Sequence, residues 1–176
     1  MGGLIHIYAG TGKGKTTASV GLCVRAAGRN QKVIFAQFLK TEDSGELVSL
    51  EKLGLEIIRS GLRLGFTNNM DEKTKTLCRA EQEGIMERIR ERLSGEKVDL
   101  LVLDEVLDAL NAGMLDEPAF CSFIANAAGR PDDPEIVLTG RNPAPWLVEM
   151  ADYVSDVQKV KHPYDRGIKA RIGIER

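Results

Sequence analysis

Apolar and polar stretches succeed one another along this chain in blocks that read as strand, loop and helix. Leu4 to Ala9 is a short apolar-rich strand. Lys15 to about Ala27 reads as a helix, and Gly28 is placed to stop it, because glycine accepts the left-handed conformation of a helix end. Lys32 to Leu39, KVIFAQFL, is almost continuously apolar, as expected of a strand covered on both faces. Strand, loop, helix and strand make a βαβ unit, which predicts a parallel sheet.

The pattern continues in the same alternation. Thr41 to Gly45 is a polar loop beyond the second strand, Leu47 to Leu53 a short helix ended by Gly54, and Leu55 to Arg59 a third strand. Ser60 to Met70 has no clear period; it contains Gly61, Gly65 and Phe66, and a segment at this edge of a parallel sheet is where ligand contacts are expected. Asp71 to Ser94 is the longest helix, with Cys78, Ile85, Met86, Ile89 and Leu93 near one face, Asp71 as its cap and Gly95 at its end. Val98 to Leu103 is a strand running into Asp104 and Glu105. Glu117 to Ala128 is a helix that tolerates Pro118 in its first turn. Glu135 to Thr139 is a strand followed by Gly140 and Arg141, and Pro145 to Ala151 a short helix. Tyr153 to Val160 and Ile168 to Ile174 supply the last extended segments. The expected fold is one domain, 1–176, α/β in three layers, with a mostly parallel sheet of about six strands.

Composition narrows this picture. The chain has 176 residues, enough for one domain with a real core and no need of disulfides. A hydrophobic fraction of 43% and a charged fraction of 28% are ordinary for a globular protein. A net charge of −2 argues against a general binder of nucleic acid or membrane surfaces. Cys23, Cys78 and Cys121 are far apart and form no C-x-x-C pair, so they read as packing residues in a reducing compartment. No apolar run reaches the length of a membrane span, and Met1-Gly2-Gly3 leads straight into a strand. The expected location is the cytoplasm.

The chemistry is concentrated in IHIYAGTGKGKTT, Ile5 to Thr17. A strand enters a glycine-rich loop that closes on Gly14-Lys15-Thr16 at a helix start. Consecutive N–H groups converge there on an anion, Lys15 adds a point charge, and the Thr16 hydroxyl can meet a metal ion. This is the sequence of a phosphate-binding loop, with one departure: glycine is usual at position 9, where this chain has Ala9, so Gly10 and Gly12 must supply the flexibility. LLVLDE, Leu100 to Glu105, is the complementary half. An apolar strand delivers Asp104 to the sheet rim, where a carboxylate can hold magnesium or its waters. Glu105 has three candidate roles: a group behind the metal that holds its waters, a polariser of water, or an anion capping a helix. These residues point to ATP with magnesium and leave the acceptor open, with a generic ATPase, a small-molecule kinase or a non-catalytic nucleotide sensor all compatible.

The order of the motifs resembles one family. AGTGKGKTT with Lys13 beside Lys15, Arg25 in the next helix, QFLK at Gln37 to Lys40, and Gly65-Phe66-Thr67 are similar to the P-loop ATP:corrinoid adenosyltransferases. LDE at Leu103 to Glu105, TGR at Thr139 to Arg141, and VKHPYDRGIKARIGIE at Val160 to Glu175 extend the likeness over nearly the whole chain. The resemblance implies a RecA-like P-loop NTPase fold and an unusual use of ATP: the Co(I) of a reduced corrinoid attacks the ribose 5′ carbon and the whole triphosphate leaves. It implies that Gly10, Thr11, Gly12, Lys13, Gly14, Lys15, Thr16 and Thr17 grip the triphosphate, with Lys13, Lys15 and Glu105 acting in catalysis. Thr16, Asp104 and Glu105 would hold Mg2+, Arg25 would touch the nucleotide, and Phe66 the corrinoid. It also implies a homodimer and a reduced flavin or flavodoxin as electron donor.

Two departures from the family pattern carry expectations. Members active on complete cobalamin have a Trp two residues after the phenylalanine of the GFT segment, where this chain has Asn68. That second aromatic helps remove the lower cobalt ligand, so the chain is expected to prefer incomplete corrinoids such as cobyrinic acid a,c-diamide or cobinamide. Members often carry a further segment before the first strand, so cover over the corrinoid is expected from elsewhere in the chain or from a partner subunit. The basic residues Lys159, Lys161, His162, Arg166, Lys169 and Arg171 are expected as a rim facing corrinoid or phosphates, or as a solvated edge.

Overall fold

A computed structural model describes residues 2–40, 44–61, 70–129 and 132–175. Its centre is a six-stranded sheet in the order β3-β2-β4-β5-β1-β6, with every neighbouring pair parallel. The strands are β1 Ile5–Ala9, β2 Val33–Gln37, β3 Glu56–Arg59, β4 Leu100–Asp104, β5 Glu135–Gly140 and β6 Tyr153–Asp156. The helices are α1 Lys15–Ala27, α2 Gly45–Lys52, α3 Glu72–Gly95, α4 Val106–Asn111, α5 Glu117–Ala127 and α6 Pro145–Met150. The expected three-layer α/β architecture is therefore present.

The layers follow from the two-residue period of the strands. Ile34 and Ala36 join Leu101, Leu103, Ile136 and Leu138 under α3, α4, α5 and α6. Their neighbours Val33 and Phe35, with Leu100, Val102 and Val137, face Cys23 and Ala26 of α1 and Leu47 and Leu50 of α2. A strand covered on both faces has no polar side, which is why β2 and β4 are buried at every position. Asp71 caps α3 by accepting from the Thr74 N–H at 2.8 Å, and Asp116 does the same for α5 from Ala119 at 2.7 Å.

Two local expectations are corrected. Gly28 is not left-handed: its φ is −62°, and the chain leaves α1 through further turns, with the positive φ falling on Asn30 at 56°. Ile168 to Ile174 forms no strand; Pro163–Arg166 is a single 3-10 turn, and the chain turns again at 172–175. Four α6-to-C-terminus apolar side chains that suggested a strand, Val160, Ile168, Ile172 and Ile174, have no sheet to pack on and are exposed. The strand ending in LDE is followed at once by α4, six residues too short to register as a period.

Phe35 anchors the α1–α2 layer to the sheet and is fully buried. Phe35→Ala is expected to cost about 3–5 kcal/mol, measured as a lower urea midpoint at unchanged slope. Val24→Ala, on the exposed side of α1, should stay within about 0.5 kcal/mol of the parent. Equal losses in the two variants would contradict the layer assignment.

Candidate active site

Parallel strands bring their carboxyl ends to one edge, and the register sets what stands there. Gln37 is opposite Asp104, Leu103 opposite Leu138, Tyr8 opposite Thr139, and Ala9 opposite Gly140. The ends of β2, β4, β5 and β1 thus lie in a row. β5 separates β4 from β1, so Thr139 sits between the Asp104 strand and the glycine-rich loop.

The loop runs from β1 to α1 and is stapled to the chain beyond β6. Gly12 N–H donates to Val157 C=O at 2.7 Å, Val157 N–H to Ala9 C=O at 2.8 Å, and Lys159 N–H to Thr11 Oγ1 at 3.4 Å. Gly10 has φ 118°, and a Cβ there would come within 2.4 Å of Val157 O. Gly10 therefore does what a glycine at position 9 was expected to do, while Ala9 remains a buried strand residue. The Gly12 amide, expected to face phosphate, is already engaged by Val157. Gly14 stands at the N-cap of α1 and no side chain caps the helix N–H groups, which leaves a helix N-terminus suited to an anion. Lys15 Nζ donates to Gly12 C=O at 2.9 Å, folding the lysine back over the loop. Thr11, Lys13 and Thr17 are exposed.

Asp104 is the polar centre. It has no exposed surface, and four donors meet its two oxygens. Thr16 Oγ1 and Thr139 Oγ1 each donate to Oδ1 at 2.8 Å; Gln37 Nε2 donates to Oδ2 at 3.3 Å and Lys40 Nζ at 2.8 Å. Lys40 Nζ also stands 3.3 Å from Thr16 Oγ1 and 3.7 Å from Glu46 Oε1. Burial alone would lower the Lys40 pKa, but the charge and hydrogen bond of Asp104, with Glu105 and Glu46, raise it, so the ammonium stays charged. Glu105 has φ 63° and donates its N–H to Thr139 Oγ1 at 2.9 Å. Its side chain makes no capping bond to α4, which removes the helix-capping role from the three considered. Burial, then the charge of Asp104, push its carboxyl up to about 7, against the pull of Lys40. Asp108 beside it is held by Arg141, whose N–H and Nε lie 3.0 and 3.1 Å away.

The predicted site residues separate clearly. Gly10, Gly12, Gly14, Lys15, Thr16, Asp104 and Glu105 share the sheet edge. Arg25 does not join them: it is exposed in the last turn of α1, about 15 Å along the axis from Lys15 at 1.5 Å per residue, and its charge acts on Tyr8. Phe66 and Asn68 lie outside the described residues. Lys13 contributes to the field at Glu175, which its bond to Arg171 chiefly holds down at about 2. His162 Nδ1 accepts from Tyr164 N–H at 3.1 Å and so caps the 3-10 turn. Gln37, Lys40 and Thr139 join the site through Asp104, beyond the residues the motifs name. The usable signal was a polar residue closing each apolar strand. A cavity of about 920 Å³ between α3, α5 and Asp132–Pro134 lies at the opposite edge and holds none of these residues.

The donor set can also be tested against magnesium. A magnesium ion keeps several waters and takes one or two carboxylates plus substrate phosphates. Thr16 and Asp104 are in contact, and Gln37 Oε1 is buried with no donor, a partner in need of a proton that metal-bound water could provide. Among the described residues no group of three or more His, Cys, Asp or Glu is arranged to hold a metal unaided. The set fits magnesium that arrives with phosphate.

The fold and this edge define a three-layer, P-loop-like α/β protein with a glycine-rich loop facing a buried carboxylate. The whole chain, residues 1–176, matches the family described as ATP:corrinoid adenosyltransferase BtuR/CobO/CobP, and it belongs to that family. A corrinoid adenosyltransferase of Escherichia coli K12 is 34% identical over 176 residues, covering 98% of this chain and 85% of the relative. One from Pseudomonas aeruginosa is 32% identical over 174 residues, covering 98% and 83%. Corrinoid adenosyltransferase CobA of Salmonella typhimurium is 34% identical over 179 residues, covering 98% and 85%.

The raised Glu105 pKa sets a pH dependence. An unfolded glutamate releases its proton near 4.5, the folded one near 7, so the folded metal-free protein holds more protons between those values. This contribution to stability is complete below about pH 4.5 and is lost as pH rises through 7, by at most about 1.4 kcal/mol per pH unit. Urea midpoints in EDTA at pH 5 to 8 should show this fall, and Glu105→Gln should flatten it. A slope unchanged by the substitution would place the proton elsewhere.

Proposed function

We propose that this chain transfers the 5′-deoxyadenosyl group of ATP to the Co(I) of a reduced corrinoid and releases tripolyphosphate, in the making or salvage of adenosylcobalamin. The observation that carries the reading is the match of residues 1–176 to the family. In the reaction, the cobalt electron pair forms the bond to C5′, the C5′–O5′ bond breaks, and its electrons leave on the triphosphate oxygen. The substrate supplies the nucleophile, so the protein's part is to orient ATP and stabilise charge that grows on the leaving group.

The residues have the chemistry for those parts. The N–H groups at the start of α1, with Lys13 and Lys15, bind and orient the triphosphate. Thr11 and Thr17 flank that grip with hydroxyls. Thr16 and Asp104 would hold magnesium, with Glu105 beside them. When bound, that ion supplies a Lewis acid on the phosphate oxygens. Thr139 fixes Asp104 and the Glu105 backbone together. The turned segment after β6 lies against the loop and carries exposed Val160, Tyr164 and Ile172, an apolar rim compatible with a corrin face. Phe66 as a corrin contact, a cytoplasmic homodimer, and reduction by a flavin or flavodoxin belong to the same reading. So does a preference for incomplete corrinoids, resting on Asn68.

Incubation with magnesium-ATP and a chemically reduced corrinoid tests the reaction. A cobalt–carbon absorption spectrum with equimolar tripolyphosphate is the expected result; ADP and orthophosphate would indicate an ATPase or kinase, and binding with no product a sensor or carrier. Lys15→Ala should abolish turnover. Thr139→Val should lower it by about 10- to 100-fold with the fold intact, since it removes a donor that positions Asp104. Comparable rates on cobalamin and cobinamide would overturn the corrinoid preference alone.

A further inference from the structure

The groups assigned to magnesium already have a cation among them. Lys40 Nζ donates to Asp104 Oδ2 at 2.8 Å and lies 3.3 Å from Thr16 Oγ1, on the oxygen whose own proton is given to Asp104 Oδ1. The arrangement is built by the backbone. β2 ends at Gln37, and Phe38 N–H donates to Asp104 C=O at 2.9 Å. Leu39 then has φ 57°, a conformation that non-glycine residues rarely take, and Lys40 N–H closes the turn on Phe38 C=O at 2.6 Å. Gln82, buried on α3, accepts from Leu39 N–H at 3.0 Å. A buried amide from the helical layer thus holds a strained turn whose result is to aim Lys40 back at the strand end.

We infer that Lys40 is a tethered counter-ion in the position of a divalent cation, and that it must leave before an ion can bind Thr16 and Asp104 together. This rests on the magnesium reading above and adds a regulation of that site. Of the four donors on Asp104, Gln37 and Thr139 are buried strand residues, and Thr16 is itself a proposed ligand. Lys40 is the donor with a long flexible stem and partial exposure, so it is the one that can move. Its departure strips the ammonium of its partners unless an anion replaces them, and a triphosphate provides those oxygens. Metal binding is then weak without phosphate and strong with it, a positive coupling between the two ligands. The site gains a guard against holding free divalent ions.

The test reads Mn2+ held by the protein in equilibrium dialysis, with and without tripolyphosphate, the protein-free compartment subtracting the Mn2+ that tripolyphosphate binds by itself. The parent protein should bind Mn2+ weakly alone and at least about tenfold more tightly with tripolyphosphate. Lys40→Met should bind Mn2+ alone about tenfold or more tightly than the parent and gain less from tripolyphosphate. Lys40→Arg and Lys97→Met, which keep a cation or remove one elsewhere, should behave as the parent. Gln82→Leu, which frees the Leu39 turn and leaves the carboxylates in place, should shift Mn2+ affinity in the same direction as Lys40→Met; it decides the matter should Lys40→Met fail to fold. Parent-like Mn2+ affinity in these two variants, with tripolyphosphate still tightening Mn2+ in the parent, overturns the counter-ion role and leaves the magnesium reading standing. No response of the parent to tripolyphosphate overturns both.

Discussion

A carboxylate with no exposed surface is the constraint around which this sheet edge is arranged. Asp104 ends the central strand β4, buried by α-helical layers on both faces, and an unpaired charge there would cost several kcal/mol. The protein meets that cost with two hydroxyls, an amide and an ammonium drawn from three segments. Each donor is thereby fixed in place. Thr16 is held at the start of α1, Thr139 at the end of β5, and Gln37 and Lys40 around the end of β2. The loop, the strand ends and the cation are one hydrogen-bonded unit, and a change at any member is felt at the loop.

That unit is assembled from backbone shapes that the chain would not choose locally. Gly10, Leu39 and Glu105 all have positive φ, and two of them carry side chains. Left-handed non-glycine residues cost of order 1–3 kcal/mol each and persist only where the surroundings over-determine them. Here the surroundings are explicit: Gln82 holds the Leu39 turn, Thr139 holds the Glu105 amide, and Val157 meets the Gly12 amide. The apolar core under α3 to α6 supplies the stability from which this strain is met, so core and site are coupled through α3.

Much of the fold was legible because parallel strands buried on both faces leave long apolar runs, as at KVIFAQFL and LLVLD, and because Gly14-Lys15-Thr16 marks a loop with its own chemistry. What was missed is short or non-local. α4 is less than two turns, and the apolar residues after Val160 mimic a strand although no sheet edge receives them. Gly28 had the right residue type for a left-handed stop, but the chain turned at Asn30 instead. Within the site, Lys15 and Thr16 belong to a contiguous motif and could be named from it. Lys40 and Gln37 reach Asp104 across 64 and 67 residues, and Thr139 across 35. Only the strand order, which places β2 and β5 on either side of β4, makes those pairs neighbours. Arg25 shows the converse: near the loop in sequence, it stands in the last turn of α1, with its charge on Tyr8.

The balance of charge at this edge bears on the order of events in the proposed reaction. Asp104, Glu105, Glu46 and Asp108 gather on one side of the loop; among the described residues Lys40 is the cation between them, and Arg141 pairs with Asp108. A triphosphate brought alone to such an edge would meet carboxylates as well as the loop cations. A divalent ion brought alone would meet Lys40. Brought together, the ion satisfies the carboxylates and the phosphates satisfy the displaced lysine, so each ligand removes the obstacle to the other. In the proposed reaction, the charge growing on the leaving triphosphate would then be met in full only with ATP and its ion seated together.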